Sequence, residues 1–379
     1  MNQNKKLGRN EQCWCGSGKK YKRCHLNREN EEPVRSWASE AALRLEFSAK
    51  SCGAPDPLKT DCSKQIVKAH TVPKSGSLER IARNGHVYSF VPTFQDLTRN
   101  NGRVEPKLHG INRASTFTGF CSKHDDTIFA PLEKTHFSGT PEQCFLLGFR
   151  SLVREKYLKQ AQIASVARLR QQADRGRPTS DQVSIQKFLS AHLSGVAAAA
   201  KDAQHYKSRY DEILIQAQFH CIRAYIIDTQ DAPTVMCSGG VFPEQDFEGN
   251  ALQDIADLER TPHLINFASF YGGKHGAVVF TWLPENDLTC RVFIKSLDRI
   301  PQGALTDSLL RFFLEHCENV HMQPEWWEEL ADATRKAVVN RMTTSAHPTM
   351  DRLPGYLRDD GLRFPPWEIM QRRFVNLTV

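Results

Sequence analysis

Four potential metal ligands stand close together near the start of the chain, in the stretch CWCGSGKKYKRCH. They are Cys13, Cys15, Cys24 and His25, which gives the spacing C-x-C-x8-C-H. Three thiolates and an imidazole form a tetrahedral ligand set that zinc prefers. Because four protein ligands leave no position for an activated water, the spacing predicts a structural zinc rather than a catalytic one.

The segment around these ligands is too short to bury a hydrophobic core, so the metal bonds must supply its folding energy. Gly16 and Gly18 lie between the second and third cysteines. Tight turns that aim backbone N–H groups at thiolates favour residues without a Cβ. We therefore expect residues 1–30 to form a separate zinc module.

The stretch from about residue 10 to residue 26 resembles the SEC-C motif. This small zinc module lies at the C-terminus of the bacterial preprotein-translocase ATPase and is attached to many otherwise unrelated bacterial proteins. Trp14 stands where family members often have proline, and His25 replaces the further cysteine of some members. The resemblance implies docking to a ribosome, a chaperone or another acidic surface rather than chemistry.

Cationic residues follow the glycines of this segment and suit a phosphate-rich or acidic partner, including nucleic acid. They are Lys19, Lys20, Lys22 and Arg23, with Tyr21 among them. A solvated charge run is the alternative interpretation.

A second set of potential zinc ligands is spread over a longer interval. Cys52 and Cys62 flank the stretch GAPDP, and Cys121 and His124 form a C-x2-H pair in GFCSKHDD. A late pair that faces an earlier pair can clip a loop-rich domain together around one zinc. We therefore predict a second zinc site within residues 45–138.

Between the two pairs, IVKAHTV predicts a strand that ends at His70, and HVYSF predicts another strand after a short helix. This order resembles the HNH endonucleases, whose zinc-clipped ββα site has a histidine ending the first strand, a loop asparagine and a last metal ligand after the second zinc pair. The resemblance assigns His70 as general base, Asn112 as the loop asparagine and Asp125 as the metal ligand. The chain departs from it at Ala69, where the family commonly has an acidic residue or histidine, and in its C-x9-C first pair.

The reaction implied by this second resemblance is phosphodiester hydrolysis. A neutral imidazole would take a proton from water while bound Mg²⁺, or another divalent metal, stabilises charge on the phosphate and the leaving oxygen. From the residues alone, a histidine that closes an apolar strand is also typical of a core residue. His86 and His109 could equally serve the role given to His70.

From Pro141 onwards the apolar spacing becomes helical. Residues 141–172 and about 183–215 carry apolar side chains at helical intervals on either side of the break DRGRPTSD. The pattern predicts an antiparallel helical hairpin or coiled coil over residues 141–218. Its apolar seam would form either a homodimer interface or an intrachain pair, and the sequence leaves both open.

Residues 219–379 combine strand and helix patterns, which predicts a mixed α/β domain of unassigned role. Strands are predicted in HCIRAYII, TVMCSGGVF, LINFASFY, GAVVFTWL and CRVFIKSL, and helices in LTDSLLRFFLEHCENV and PEWWEELADATRKAVVNRM. Trp326 and Trp327 are predicted to anchor the core. Four cysteines without paired spacing are predicted to be buried thiols: Cys221, Cys237, Cys290 and Cys317. The whole chain is therefore predicted to be an α+β multidomain protein.

The composition and charge of the chain indicate the compartment in which the protein is expected. The 379 residues are 40% hydrophobic and 25% charged, and nine Lys/Arg against four Asp/Glu in residues 1–35 supply five of the seven net positive charges. No run approaches the roughly 18 to 20 apolar residues of a membrane helix, and the polar N-terminus lacks the apolar core of a signal peptide. Eleven cysteines, an odd number, then favour metal ligands and buried thiols over disulfides. We expect a cytoplasmic protein with no membrane contact.

Two functional hypotheses follow from these patterns. In the first, the chain is a metal-dependent endonuclease that binds nucleic acid, and the families it resembles place it in a bacterial stress or phage-defence setting. In the second, it is a non-enzymatic adaptor with two structural zinc sites, a helical spacer and a partner-binding α/β domain. The hypotheses differ in whether His70, Asn112 and Asp125 meet around one open metal position.

Overall fold

The structure is a computed structural model that describes residues 7–257, 259–346 and 352–377. Its helices are α1 (Ser36–Glu46), α2 (Glu79–Ile81), α3 (Phe94–Arg99), α4 (Ser122–Ile128), α5 (Ala130–Glu133), α6 (Pro141–Gln172), α7 (Thr179–Gln216), α8 (Asp287–Asp298), α9 (Gln302–His316), α10 (Pro324–Glu329) and α11 (Asp332–Ser345). Its strands are β1 (Ile66–His70), β2 (His86–Ser89), β3 (Lys107–Gly110), β4 (Thr116–Cys121), β5 (Arg223–Thr229), β6 (Val235–Val241), β7 (Ile265–Tyr271), β8 (Gly276–Trp282), β9 (Val320–Met322) and β10 (Ile369–Val375). The α+β prediction is confirmed, and so is the helical hairpin, which α6 and α7 form.

The chain divides into two compact units. The N-terminal unit contains residues 1–49 and 158–201, and the core unit contains residues 50–157 and 202–379. Helices α6 and α7 each contribute residues to both units. Within the described ranges, no helix combines the length and the apolar character that crossing a lipid bilayer requires.

In the N-terminal unit, the turn between α6 and α7 is built around a glycine. Gly176 adopts a φ of +68° and donates its backbone N–H to the carbonyl oxygen of Arg28 at 3.0 Å. A Cβ on Gly176 would lie 2.6 Å from the carbonyl oxygen of Glu31, so both the conformation and the close approach require glycine. This contact joins the segment after the first ligand cluster to the tip of the hairpin.

The core unit contains an antiparallel sheet with the strand order β10-β5-β8-β7-β6-β9-β2-β3. Its central strands are buried on both faces, which explains why they read as nearly continuous apolar runs. Phe267 of β7 and Phe280 of β8 pack against Phe293 of α8 and Phe312 of α9, with ring centroids 4.9 to 6.4 Å apart. This aromatic cluster forms the centre of the hydrophobic core.

The prediction of a strand in CRVFIKSL is wrong, because this segment lies in α8. Its buried residues Cys290, Phe293, Ile294 and Leu297 recur at helical intervals, so the periodicity outweighs the β-branched content. Two other boundaries also differ: α9 ends before the short strand β9, and PEWWEELADATRKAVVNRM divides into α10 and α11.

Trp326 and Trp327 are buried as predicted. So are three of the four cysteines, whereas Cys221 is half-buried.

A separate two-stranded sheet in the core unit pairs β1 with β4 in antiparallel register. Ile66 lies opposite Cys121, and His70 lies opposite Thr116. Helix α4 follows β4 directly, so the three elements form a ββα arrangement whose first strand ends at His70, as the sequence predicts. The long connection between β1 and β4 carries β2 and β3, which join the large sheet.

Candidate metal centres

The N-terminal cluster brings the side chains of Cys13, Cys15, Cys24 and His25 together, with their ligand atoms within 4.8 Å of one another. Nδ1 of His25 lies 3.2 Å from Sγ of Cys13 and 3.1 Å from Sγ of Cys24, and the sulfurs of Cys15 and Cys24 are 3.5 Å apart. Bond lengths of about 2.0 to 2.3 Å in a tetrahedron require ligand atoms about 3.3 to 3.8 Å apart. The donor set therefore fits one zinc ion, and the separations of 3.1 to 3.5 Å lie within a few tenths of an ångström of those that a tetrahedral site requires.

The turns between these ligands depend on two glycines in the left-handed conformation, with φ of +73° at Gly16 and +69° at Gly18. A Cβ at either position would lie within 4 Å of no atom of the residues that the structure describes, so backbone conformation, not space, requires glycine there. The backbone N–H of Cys13 donates to the carbonyl oxygen of Lys19 at 2.9 Å, which closes the loop.

The orientation of His25 is fixed by a buried carboxylate from the hairpin turn. With Nδ1 directed at the thiols, Nε2 donates to Oδ2 of Asp174 at 2.8 Å. Arg28 donates to the other oxygen at 2.7 Å, and Gln186 donates to Oδ2 at 2.8 Å. Burial alone would raise the pKa of Asp174, but these hydrogen bonds lower it to about 2. The arrangement is the carboxylate–histidine pairing that typically supports a zinc site.

The second cluster is assembled from distant parts of the core unit. The ligand atoms of Cys52, Cys62, Cys121 and His124 lie within 4.8 Å of one another. Nδ1 of His124 is 3.3 Å from the sulfurs of both Cys52 and Cys121. Again the donor types and distances fit a tetrahedral zinc.

Backbone contacts hold the two halves of the second cluster in register. The segment that carries Cys52 runs beside β4, where Gly53 donates to the carbonyl oxygen of Gly119 at 2.7 Å. Cys121 ends β4, and the first turn of α4 places the N–H of His124 at 3.5 Å from its sulfur. Burial would raise the pKa of Cys121, but hydrogen bonds from His124 and Ser63 lower it to about 6. This thiol therefore ionises easily, as a zinc ligand must.

His70 and Asp125, predicted as general base and metal ligand, line one cavity of about 630 Å³ beside the ββα arrangement. Nε2 of His70 lies 3.1 Å from the carbonyl oxygen of Ile111. Because a carbonyl can only accept, Nε2 carries the proton and Nδ1 keeps its lone pair. Burial, helped by the charge of Arg150, lowers the pKa of His70. The imidazole is therefore neutral at pH 7 and able to act as a base.

The carboxylate of Asp125 is the second notable group in this cavity. Its Oδ1 is buried and has no hydrogen-bond partner among the residues that the structure describes. Burial raises the pKa of Asp125 to about 6, although Arg150 opposes the shift. A bound cation would give this oxygen the partner it lacks.

Asn112 lies at a different position from the other two predicted catalytic residues. It lines a groove of about 480 Å³ together with His86, His109 and Arg113. The loop after β3 contributes the carbonyl oxygen of Ile111 to His70 instead of an asparagine side chain. The structure thus brings His70 and Asp125 to one cavity and places Asn112 with the two alternative histidines.

The four predicted contact residues of the N-terminal cluster, Lys19, Lys20, Lys22 and Arg23, are exposed. Within the described part of the chain, no carboxylate lies at ion-pair distance from any of them. Their charges are therefore available to a partner.

The geometry of the first cluster defines a small zinc module with a closed ligand set. The family model for the SEC-C motif matches residues 9–27, a range that contains all four of its ligands. The chain therefore carries a SEC-C motif at the position that the sequence predicts. Neither a curated protein nor a solved structure matches the chain. Since the SEC-C match does not extend to residues 50–135, the HNH resemblance stays a prediction.

Proposed function

We propose that the core unit is a divalent-metal-dependent endonuclease of the HNH type. The observation that supports this most directly is that His70, at the end of β1, and Asp125, on α4, line the same cavity. The first strand and the helix of the ββα arrangement thereby bring to one cavity a neutral imidazole and a carboxylate oxygen that has no hydrogen-bond partner in the described part of the chain. The second zinc cluster would hold β4 and α4 in the geometry that this site needs.

The proposed roles follow from two atoms, the unprotonated Nδ1 of His70 and Oδ1 of Asp125, which has no hydrogen-bond partner among the described residues. Nδ1 of His70 would accept a proton from water as the water oxygen attacks the phosphorus of a phosphodiester, and the bond from phosphorus to the leaving oxygen would break. Asp125 would hold Mg²⁺ or another divalent cation, which when bound stabilises the charge on the phosphate and on the leaving oxygen. The carbonyl oxygen of Ile111 would keep the imidazole in the tautomer that the reaction requires.

The test is cleavage of single- and double-stranded DNA and RNA by the zinc-loaded chain, with and without Mg²⁺ or Mn²⁺. We expect metal-dependent cleavage that His70→Ala abolishes and His86→Ala leaves unchanged. His86 is the matched control because it is an exposed histidine of the same unit that lines the other groove. Absence of cleavage by the wild-type chain on every substrate, at full zinc content, would reject the proposal.

A second candidate function is non-enzymatic docking through the SEC-C module. The four exposed cationic side chains of residues 19–23, which have no carboxylate partner in the described ranges, favour it. We would measure binding to ribosomes and to RNA at increasing salt, comparing the wild type with a variant in which Lys19, Lys20, Lys22 and Arg23 are replaced by serine. Salt-sensitive binding that this variant loses while retaining zinc would support docking, and binding unchanged in the variant would exclude these residues as the contact surface.

A further inference from the structure

Glu133, at the end of α5, lines the same cavity as His70 and Asp125. Its Oε1 accepts a hydrogen bond from Nη2 of Arg150 at 2.6 Å. Its Oε2 accepts none from any residue that the structure describes, and the same holds for Oδ1 of Asp125. Two carboxylate oxygens with free lone pairs are therefore present at one cavity that also contains an imidazole.

Arg150 fixes the position of Glu133. Only 1% of the Arg150 side chain is exposed, and its guanidinium carbon lies 3.9 Å from the ring centroid of Phe129. Nε and Nη1 of Arg150 are buried and have no hydrogen-bond partner among the described residues, so the contacts that hold the guanidinium there are the Phe129 ring and Glu133. The charge of Arg150 compensates the charge of Glu133, so the carboxylate of Asp125 is left for a bound cation or for Lys74 of the same cavity.

Two lysines also line the cavity and contribute to its charge. Lys134 is paired with Asp126, whose Oδ1 lies 2.7 Å from its Nζ, so its charge is already compensated. Lys74 has no carboxylate at ion-pair distance within the described ranges. Its charge suits the phosphate of a nucleic-acid substrate better than it suits a metal site.

We propose that Glu133 is a second carboxylate ligand of the cation that Asp125 holds. Glu133 would supply, from α5, the acidic group that Ala69 cannot supply at the end of β1. Two carboxylates suit Mg²⁺ or Mn²⁺, which prefer oxygen donors and keep several waters, and they leave Nδ1 of His70 free to act as the base. This inference rests on the proposed metal-dependent function of the same site.

The experiment is titration of the full-length, zinc-loaded chain with Mn²⁺. Calorimetry and the electron paramagnetic resonance signal of free Mn²⁺ would each measure the binding. We expect one Mn²⁺ per chain, and we expect Glu133→Gln to weaken its binding by at least about tenfold, because a carboxylate ligand contributes both charge and a lone pair. Zinc content measured on the same samples would verify that Mn²⁺ has not replaced zinc at the thiolates.

Glu142→Gln is the matched control, because it makes the same chemical change at an exposed position of the core unit that does not line the cavity. It should change Mn²⁺ affinity by less than about twofold. If Glu133→Gln does not fold, Glu133→Asp, which keeps the charge on a shorter side chain, should still weaken binding. Wild-type affinity in Glu133→Gln, or no Mn²⁺ binding by the wild type, would overturn the inference. Glu133-dependent binding without any cleavage would uphold the ligand and reject the nuclease.

Discussion

The two Cys/His clusters have the same ligand types but very different separations along the chain. The first takes its ligands from residues 13–25 and belongs to the N-terminal unit, whereas the second takes them from residues 52–124 of the core unit. A short, continuous ligand set can form with little help from the rest of the fold, and a family model can recognise it. A long-range set depends on the pairing of β1 with β4, so zinc binding at the second cluster would be coupled to the folding of the core unit.

The two histidine ligands also differ in their support. Nε2 of His25 donates to the buried carboxylate of Asp174. Within the described ranges, no carboxylate lies at ion-pair distance from His124, which is instead fixed by the first turn of α4. The first site therefore depends on a side chain from the hairpin turn, and the second depends on backbone geometry.

The largest difference should appear when one thiol is removed from each cluster. Cys121→Ser should lose one zinc and destabilise the core unit by at least about 4 kcal/mol, because the site closes a long loop around the ββα arrangement. Cys13→Ser should also lose one zinc but leave the main unfolding transition in place. Zinc analysis and urea unfolding followed by tryptophan fluorescence would measure both effects.

Cys144→Ser provides a control for that comparison, since Cys144 is a buried thiol of the core unit outside both clusters. It should keep both zinc ions. Equal loss of core stability in Cys13→Ser and Cys121→Ser would show that the clusters are not independent, and the contrast drawn from their sequence separation would then fail.

An intermediate effect should come from the carboxylate behind the first cluster. Asp174→Asn keeps the shape of the side chain but removes the charge that supports the Nε2–H of His25, so zinc affinity should fall about 10- to 100-fold. Competition with a chromophoric chelator would measure this, and zinc at the second cluster should be retained as before. Asp181→Asn, at an exposed position of α7, is the control. An unchanged affinity in Asp174→Asn would mean that the hydrogen bond serves only to dock the zinc segment on the hairpin.

The sequence predicts features that depend on neighbouring residues better than features that depend on residues far apart in the chain. The spacing of the first cluster, the strand that ends at His70 and the helical hairpin are all encoded within short windows. Asp174 could not be found this way, because its contact with His25 joins residues 149 positions apart. Glu133 lies in a segment without clear periodicity, and the role proposed for it depends on the packing of Arg150 against Phe129. Asn112 was assigned by resemblance alone, and the fold of the β3–β4 loop directs it to another groove.

Effects of similar or smaller size should come from one glycine in each cluster, and they should have different physical causes. Gly16 has open space around its missing Cβ but a φ of +73°, so Gly16→Ala should cost about 1 to 2 kcal/mol of zinc-module stability. Gly16→Asn should recover part of it, because asparagine tolerates the left-handed region. A Cβ on Gly53 would instead lie 2.4 Å from Cγ1 of Val153, so Gly53→Ala should destabilise the core unit by about 1 to 3 kcal/mol.

The double variant Gly53→Ala/Val153→Ala separates the two causes, since truncating Val153 removes the clash. If crowding is the cause, the cost of Gly53→Ala should largely disappear when it is measured in the Val153→Ala background, as urea unfolding of the four chains would show. Among the described residues, no atom lies within 4 Å of a Cβ built on Gly16, where the same substitution should be rescued only by a residue that accepts a positive φ. A cost for Gly53→Ala that persists in the Val153→Ala background would exclude Val153 as its cause and assign it to the carbonyl oxygen of Gly119, which would lie 3.1 Å from the same Cβ.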